Sequence, residues 1–560
     1  MTLRKIINDP HEFVDEVLAG IVRAHPDTYR FASRDHRAVV TTTSPGRVGI
    51  VTGGGSGHLP LFLGYVGKGL ATGVAVGNVF SSPSPAQILA TTKAADAGSG
   101  VLYLYGNYGG DVYNFDLAGE QAEVEGIKTR TVLGADDVLS APADNASTRR
   151  GIAGLIMVYK VAGAAADRGD DLDQVAEVAQ RAADAVRTAG VGLAPTILPA
   201  AGKPTFTLAE GEMEIGVGIH GESGVDTVEI ATASSIADTL FGHLNAELQL
   251  GGGSRVAVLV NGLGATPPEE LYVLYSEIAE LIEAEGAHIA YNFVGEYATS
   301  MEMAGASISI MPLDSELEEL LNAPASSPFY RPGTSIPRPI THDADAATGD
   351  DDDTDVATTG FTSNLRGALL RLAEQMPAHE DELRDLDAAL GDGDLGLTVS
   401  AGVSAIAARI NEVPDDAAAS TLLRAAAVAF ASANPSTFAA LVGSGMLSAS
   451  SVVDDTQQVD KAAAIAIGRA IGAAVSKKGG AQLGDKTLLD VLLPALDELD
   501  SGIDEAELRG FLTARVDDVA KLRSARGRAA WHQERSIGLK DPGSVAVAYA
   551  IDALTRTANQ

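Results

Sequence analysis

Arg47-Val-Gly-Ile-Val-Thr52 runs directly into Gly53-Gly-Gly-Ser-Gly-His58, an apolar stretch that reads as a strand ending in a glycine loop. Val101-Leu-Tyr-Leu-Tyr105 runs in the same way into Gly106-Asn-Tyr-Gly-Gly-Asp111. A third unit joins Val256-Ala-Val-Leu-Val260 through a loop to Thr266-Pro267, read as the cap and first position of a helix with Leu271, Leu274, Ile278 and Leu281 on one face. This alternation predicts an α/β architecture. In open α/β sheets ligands gather at the carboxyl ends of strands, where these glycine loops would lie.

The character changes further along the chain. Leu365, Leu369, Leu372 and Met376 repeat at helical spacing behind Thr362-Ser363, and the alanine-rich runs at 424–432 and 462–474 lack strand alternation, so this half reads as all-helical. Between the halves, Arg331-Pro-Gly-Thr-Ser-Ile-Pro337 leads through Asp350-Asp-Asp-Asp353 to Thr359, and such prolines, small residues and like charges predict a linker. The expected domains are 1–335, the acidic linker 336–360, and 361–560. The four adjacent aspartates read as a solvated run rather than a metal site.

At 560 residues the chain exceeds a single core. Its 46% hydrophobic content includes no unbroken apolar stretch long enough for a bilayer, so no membrane is expected. A net charge of −35 opposes phosphate backbones, and nucleic acid is not an expected partner. The start, Met1-Thr-Leu-Arg-Lys-Ile-Ile-Asn-Asp-Pro10, lacks a signal-peptide pattern, which makes the cytoplasm the default expectation. With zero cysteines, any metal must be held by oxygen or histidine.

Three polar residues at the ends of these segments, His58, Asp111 and His220, form a candidate site for a small polyol. Most of the ten histidines must be ordinary surface or core residues; glycine neighbours, which permit close approach of a ligand, set His58 and His220 apart. The loop at 53–58 fits a dinucleotide fingerprint poorly, because His58 stands where the last glycine belongs. In the helical half, Asp387, Asp392 and Asp394 would present three hard oxygen donors if Asp387 ends a helix and Gly391 and Gly393 form the following turn, a set suited to Mg²⁺ and phosphate. A capped helix end would need only one acid.

Taken together, the motifs resemble the single-chain, ATP-dependent dihydroxyacetone kinase family, which includes erythrulose kinases. Gly53-Gly-Gly-Ser-Gly-His58, Asn107-Tyr-Gly-Gly-Asp111 with Asn114-Phe115, and Gly218-Ile-His-Gly-Glu222 are similar to its ketose-binding domain. Asp387 with Asp392-Gly-Asp394, Gly484-Asp-Lys-Thr487 with Leu489-Asp490, Gly527-Arg-Ala529 and Asp541-Pro-Gly543 are similar to its helical nucleotide domain. The resemblance implies two α/β subdomains followed by an all-α helical barrel. It implies that His220 holds the ketone as a hemiaminal, that Asp111 accepts the proton of the attacking hydroxyl, and that His58 assists. Gly53, Gly54, Ser56, Gly57, Gly106 and Asn107 would contact the ketose. Ser436, Thr437, Gly484, Thr487, Arg528, Asp541 and Gly543 would line ATP, and Asp387, Asp392 and Asp394 would hold two Mg²⁺ ions. A homodimer is also implied.

Several positions depart from the family pattern. Gly106 stands where a lysine is usual, Asn78 replaces the aspartate of Gly-Asp-Val-Phe, Leu59 follows the first histidine in place of an acid, and Leu395 replaces a histidine after the metal aspartates. Asn434-Pro-Ser-Thr437 falls where the family has a glycine- and serine-rich phosphate loop. Loss of the lysine removes a donor and is expected to open space, which favours a four-carbon ketose such as erythrulose over dihydroxyacetone. Two other readings stay open at this point: a non-catalytic ketose-binding regulator, and a kinase that depends on a phosphoprotein.

Overall fold

Alternate side chains of the strand Val101–Gly106 serve two different cores. Leu102 and Leu104 join one apolar cluster, whereas Val101, Tyr103 and Tyr105 join another, and all five are buried. A strand covered on both faces lies inside a three-layer α/β arrangement. The computed structural model describes residues 5–42, 46–336, 357–391 and 393–555. The chain forms two compact units, 1–342 and 343–560. Most of the expected linker, 337–356, lies outside the described residues.

The first unit contains two sheets. One comprises β1 (Tyr29–Phe31), β2 (Ala38–Thr41), β3 (Gly49–Ser56), β4 (Gly73–Val79), β5 (Val101–Gly106) and β6 (Thr129–Gly134), in the order β1-β2-β4-β3-β5-β6. Strands β4, β3, β5 and β6 run parallel, and β1 and β2 form an antiparallel edge. Helices Pro85–Ala95 and Gly109–Val124 pack on one face, Leu155–Arg168 and Leu172–Ala185 on the other.

The other sheet comprises β7 (Arg187–Ala194), β8 (Glu212–Ile215), β9 (Asp226–Glu229), β10 (Arg255–Gly262), β11 (His288–Gly295), β12 (Ala304–Pro312) and β13 (Thr334–Ser335). Its order is β13-β11-β10-β12-β7-β8-β9, and only β10 and β11 pair in parallel. Val256, Val258 and Val260 face helices Ala233–Leu248 and Pro268–Ala284, while Ala257 and Leu259 face the same central core as the first sheet. Helix Leu155–Arg168 belongs to that core and is buried from Leu155 through Ala166. A helix apolar on all sides requires this position. The one charged side chain in its buried stretch, Lys160, donates to the Leu320 carbonyl at 2.8 Å, which gives the buried cation a partner. The expected cap at Thr266 is corrected by one residue: the helix starts at Pro268, and the Thr266 hydroxyl instead binds the Gly305 backbone.

The second unit is helical. Helices Asn364–Gln375, Leu395–Glu412, Ala419–Ala433, Thr437–Ala449, Lys461–Gly479, Leu489–Ser501 and Glu505–Ala520 follow one another, and Pro542–Thr555 packs back against the first, which closes a ring around one core. Each fully buried leucine or valine there contributes about 1.5–3 kcal/mol. Ser363 caps the first of these helices through the Leu365 amide, in line with the Thr362-Ser363 signal.

Candidate functional site

The glycines after Thr52 do not form the expected loop. Strand β3 continues through Ser56, and only Gly57, at φ +102°, turns the chain. The reason is crowding. A Cβ at Gly53 would lie 2.7 Å from the Ala75 carbonyl, at Gly54 2.4 Å from the Phe62 ring, and at Gly55 2.6 Å from the Ser81 amide. Neighbouring backbone and rings come so close to the strand that side chains are excluded.

The carboxyl ends of β3, β4 and β5 meet a turn that the second sheet supplies between β8 and β9. His220 lies on that turn, whose glycines 216 and 221 adopt φ of +81° and +84°. A cavity of about 360 Å³ opens there, walled by Gly55, Phe80, Ser82, Tyr108, Gly110, Asp111 and His220. Phe80 and Ser82 follow β4, and Asp111 stands in the first turn of helix Gly109–Val124, where the helix dipole favours a carboxylate. The His220 ring lies 4.8 Å from that of His58, 5.1 Å from Phe80 and 4.9 Å from Tyr108, each at a steep angle. Phe80 also stacks on His58, with centroids 4.8 Å apart.

The protonation pattern follows from these surroundings. His58 is 1% exposed, and its Nδ1 lies 2.8 Å from the Thr299 carbonyl, which can only accept; Nδ1 therefore carries the proton. Its Nε2 is buried with no partner among the described residues. Burial and the neighbouring His220 hold the His58 pKa down to about 3, so the ring stays neutral. Asp111 is also buried, with Oδ1 unpartnered, and burial pushes its carboxyl up to about 6 against the opposing hydrogen bond from Ser82. His220 Nδ1 lies 2.7 Å from Glu222 Oε1. Burial, the largest single influence, pushes Glu222 up, but the hydrogen bond and charge of His220, a backbone hydrogen bond and Arg150 together outweigh it, and the carboxyl is held down to about 2. The site thus combines a carboxylate near neutrality with two imidazoles whose Nδ1 atoms are engaged, a constellation suited to proton transfer and nucleophilic addition.

The remaining expected ketose contacts fall elsewhere. Gly54, Ser56 and Gly57 border a narrow cleft beside His58, while Asn107 donates to the Ser147 and Arg149 carbonyls and so ties down its own loop. Gly106 opens no space: a Cβ there would meet the Gly151 carbonyl at 3.0 Å and the Tyr108 ring at 3.2 Å. Phe80, Ser82, Tyr108 and Glu222 were not picked out as site residues in the sequence. A carboxylate two residues past a glycine-flanked histidine was the one available signal.

In the helical unit, Asp387 lies in the last turn of helix Glu380–Ala388, and its Oδ2 accepts the amides of Asp394 and Leu395 at 3.0 and 3.3 Å. Gly393 turns the intervening chain at φ +79°, and Asp392 lies outside the described residues. Burial and the adjacent Asp387 push Asp394 upward. Two carboxylates that repel each other form an oxygen donor set that fits a hard divalent cation. From Asp394 a chain of contacts leads through the expected nucleotide residues. Asn434 donates to Thr398, Ser436 caps helix Thr437–Ala449, and Phe438 lies against Gly543. The Ser544 hydroxyl donates to the Thr487 carbonyl, and Asp541 accepts the Ser544 amide. Asp490 in turn accepts the amides of Gly484 and Thr487. Lys486, buried, donates to the carbonyls of Ala520, Leu522 and Ser536 and pins the loop from beneath. The side chain of Arg528 lies outside the described residues.

Comparison with known proteins agrees with both units. Residues 19–329 match the Dak1 domain and residues 389–556 the DAK2 domain. The chain is 39% identical to L-erythrulose 1-kinase of Mycolicibacterium smegmatis, covering 98% of both, and 38% identical to L-erythrulose kinase of Pectobacterium atrosepticum, covering 99% of this chain and 96% of that one. The crystal structure of the dihydroxyacetone kinase from C. freundii in complex with AMP-PNP and Mg²⁺ superposes with a TM-score of 0.62 at 27% identity, over 99% of each chain. The two units, their order and their full-length relatives place this chain in the single-chain, ATP-dependent dihydroxyacetone kinase family.

Proposed function

We propose that this ATP-dependent ketose kinase phosphorylates a terminal hydroxyl of a short-chain ketose held as a hemiaminal on His220. The observation that carries the reading is the pairing, across one cavity, of an imidazole whose Nδ1 is tied to a carboxylate with a buried carboxylate that has an unpartnered oxygen. The Nε2 lone pair of His220 forms the bond to the carbonyl carbon as the C=O π bond breaks onto oxygen, which takes up a proton from water and leaves the ring a cation. A simple alcohol offers no such carbon, so the bond selects ketoses and fixes the substrate in place. Asp111 accepts the proton of the terminal hydroxyl as that oxygen attacks the phosphoryl group, with the neutral His58 hydrogen-bonding the substrate beside it.

Asp387, Asp392 and Asp394 are the residues that would hold Mg²⁺, two ions in this reading. The metal supplies neutralisation of the phosphate charge, which phosphoryl transfer chiefly needs. Ser436, Thr437, Gly484, Thr487, Arg528, Asp541 and Gly543 line ATP. Assembly as a homodimer and a cytoplasmic location complete the reading.

Among ketoses we assign a four-carbon substrate of the erythrulose type. The support is the activity named for two of the relatives that span nearly the whole chain, together with a cavity lined by Gly55 and Gly110 whose volume of about 360 Å³ admits a tetrose as readily as a triose. Coupled measurement of ADP release with dihydroxyacetone, D- and L-erythrulose and glycerol tests this directly. ATP turnover with a higher kcat/KM for an erythrulose supports the assignment, and a strong triose preference overturns it.

A further inference from the structure

We propose that Glu222 is a positioning residue that makes His220 a nucleophile, by fixing the proton on Nδ1 and leaving Nε2 as the one lone-pair nitrogen of the ring. The inference deepens the hemiaminal reading and rests on it for its role in turnover. Both Glu222 oxygens serve His220: Oε1 lies 2.7 Å from Nδ1, and Oε2 accepts the His220 backbone amide. The backbone amide can only donate, so the atom that faces it must be an acceptor. The carboxylate therefore clamps main chain and ring together and sets the ring's orientation.

The surrounding turn is shaped to admit this carboxylate. A Cβ on Gly218 would lie 1.9 Å from Glu222 Oε2 and 2.5 Å from an Arg150 nitrogen, so only glycine leaves room. Arg150 holds the turn from behind. It pairs with Asp137 at 2.7 Å, donates to the Gly216 carbonyl at 2.9 Å and lies 3.8 Å from Glu222 Oε2. When Nε2 adds to a carbonyl carbon and the carbonyl oxygen is protonated, the ring carries a positive charge. A carboxylate on Nδ1–H stabilises that charge, as it does for any imidazolium whose second nitrogen faces an acid.

Glu222→Gln provides a test with a directional outcome. Its single carbonyl oxygen must face the His220 amide, which leaves the NH₂ group against Nδ1 and drives the proton to Nε2. The ring tautomer is read by ¹⁵N–¹H NMR of the histidine-labelled full chain without ketose. Nδ1–H in the native protein and in Glu222→Asp, with Nε2–H in Glu222→Gln, supports the proposal. Ketose KM should then rise about 10- to 100-fold in Glu222→Gln, the range seen when a metal-bound histidine loses the partner of its other nitrogen. An unchanged Nδ1–H tautomer in a folded Glu222→Gln protein overturns it, whereas a switched tautomer with an unchanged KM counts against the hemiaminal reading instead. Because the tautomer is measured without substrate, a failure of the hemiaminal reading leaves this result standing and is distinguishable from it.

Discussion

Asp111 and His220 face one cavity from different sheets, the carboxylate buried with one oxygen unpartnered and the imidazole tied through Nδ1 to Glu222. In the proposed reading, substrate capture and proton removal therefore reside on separate supports. Asp111→Asn should lower kcat by about 10²–10⁴, the usual contribution of a general base, while a labelled ketose still binds. Rapid-quench turnover and ketose titration of the same protein check both halves; an unchanged kcat removes Asp111 from the role of base.

The pH profile carries the same assignment. The base must be ionised, and burial places the Asp111 carboxyl at about 6. Ketose kcat/KM should therefore fall about tenfold per unit as the pH drops below that value and level off above it. His58, held down to about 3, adds no step in this range. In Asp111→Asn the inflection should vanish, which a profile from pH 5 to 8 measures.

Crowding along β3 gives a packing prediction. A methyl at Gly55 would meet the Ser81 amide at 2.6 Å and the Phe80 Cα at 2.7 Å. Gly55→Ala should cost about 1–3 kcal/mol by overpacking and raise the ketose KM, since the displaced segment carries Phe80 and Ser82. Gly20→Ala, within helix Phe13–Ala24 and with nothing within 4 Å, should instead stabilise by about 0.5–1 kcal/mol. Thermal unfolding of the two variants separates these signs.

Metal dependence follows from the aspartate pair. Chelation should abolish phosphoryl transfer and leave ketose binding intact. Asp394→Asn removes a charged oxygen ligand, so the Mg²⁺ concentration for half-maximal rate should rise by about tenfold or more. Thermal unfolding of the variant followed by circular dichroism, beside the Mg²⁺ rate curve, distinguishes this from a loss of folding.

How far the sequence could be read depended on how local each cause is. The strands at 47–52, 101–105 and 256–260, the Ser363 cap and the helical repeat after it depend on neighbours in the chain, and they appear where expected. His58, Asp111 and His220 could be singled out because glycines or a strand end mark them, and the structure brings the three side chains close together. The glycine run at 53–56 was misread as a loop because its cause is Ala75, Phe62 and Phe80 pressing on the strand from distant segments. Phe80, Ser82 and Tyr108 likewise reach the cavity only through the parallel pairing of β3 with β4 and β5. The antiparallel course of β12 and β7–β9 has no local signature, since it is set by which edges meet. Gly106 suggested an opened pocket, and the ring of Tyr108 occupies that space.

Capture of the ketose by His220 is the claim on which the rest turns, and ¹³C NMR of a C2-labelled ketose bound to the full chain addresses it without turnover. The labelled carbon should move from the carbonyl region to that of a tetrahedral carbon bearing nitrogen and oxygen, and the change should be absent in His220→Ala. A carbonyl signal that persists in the bound native complex would contradict covalent capture.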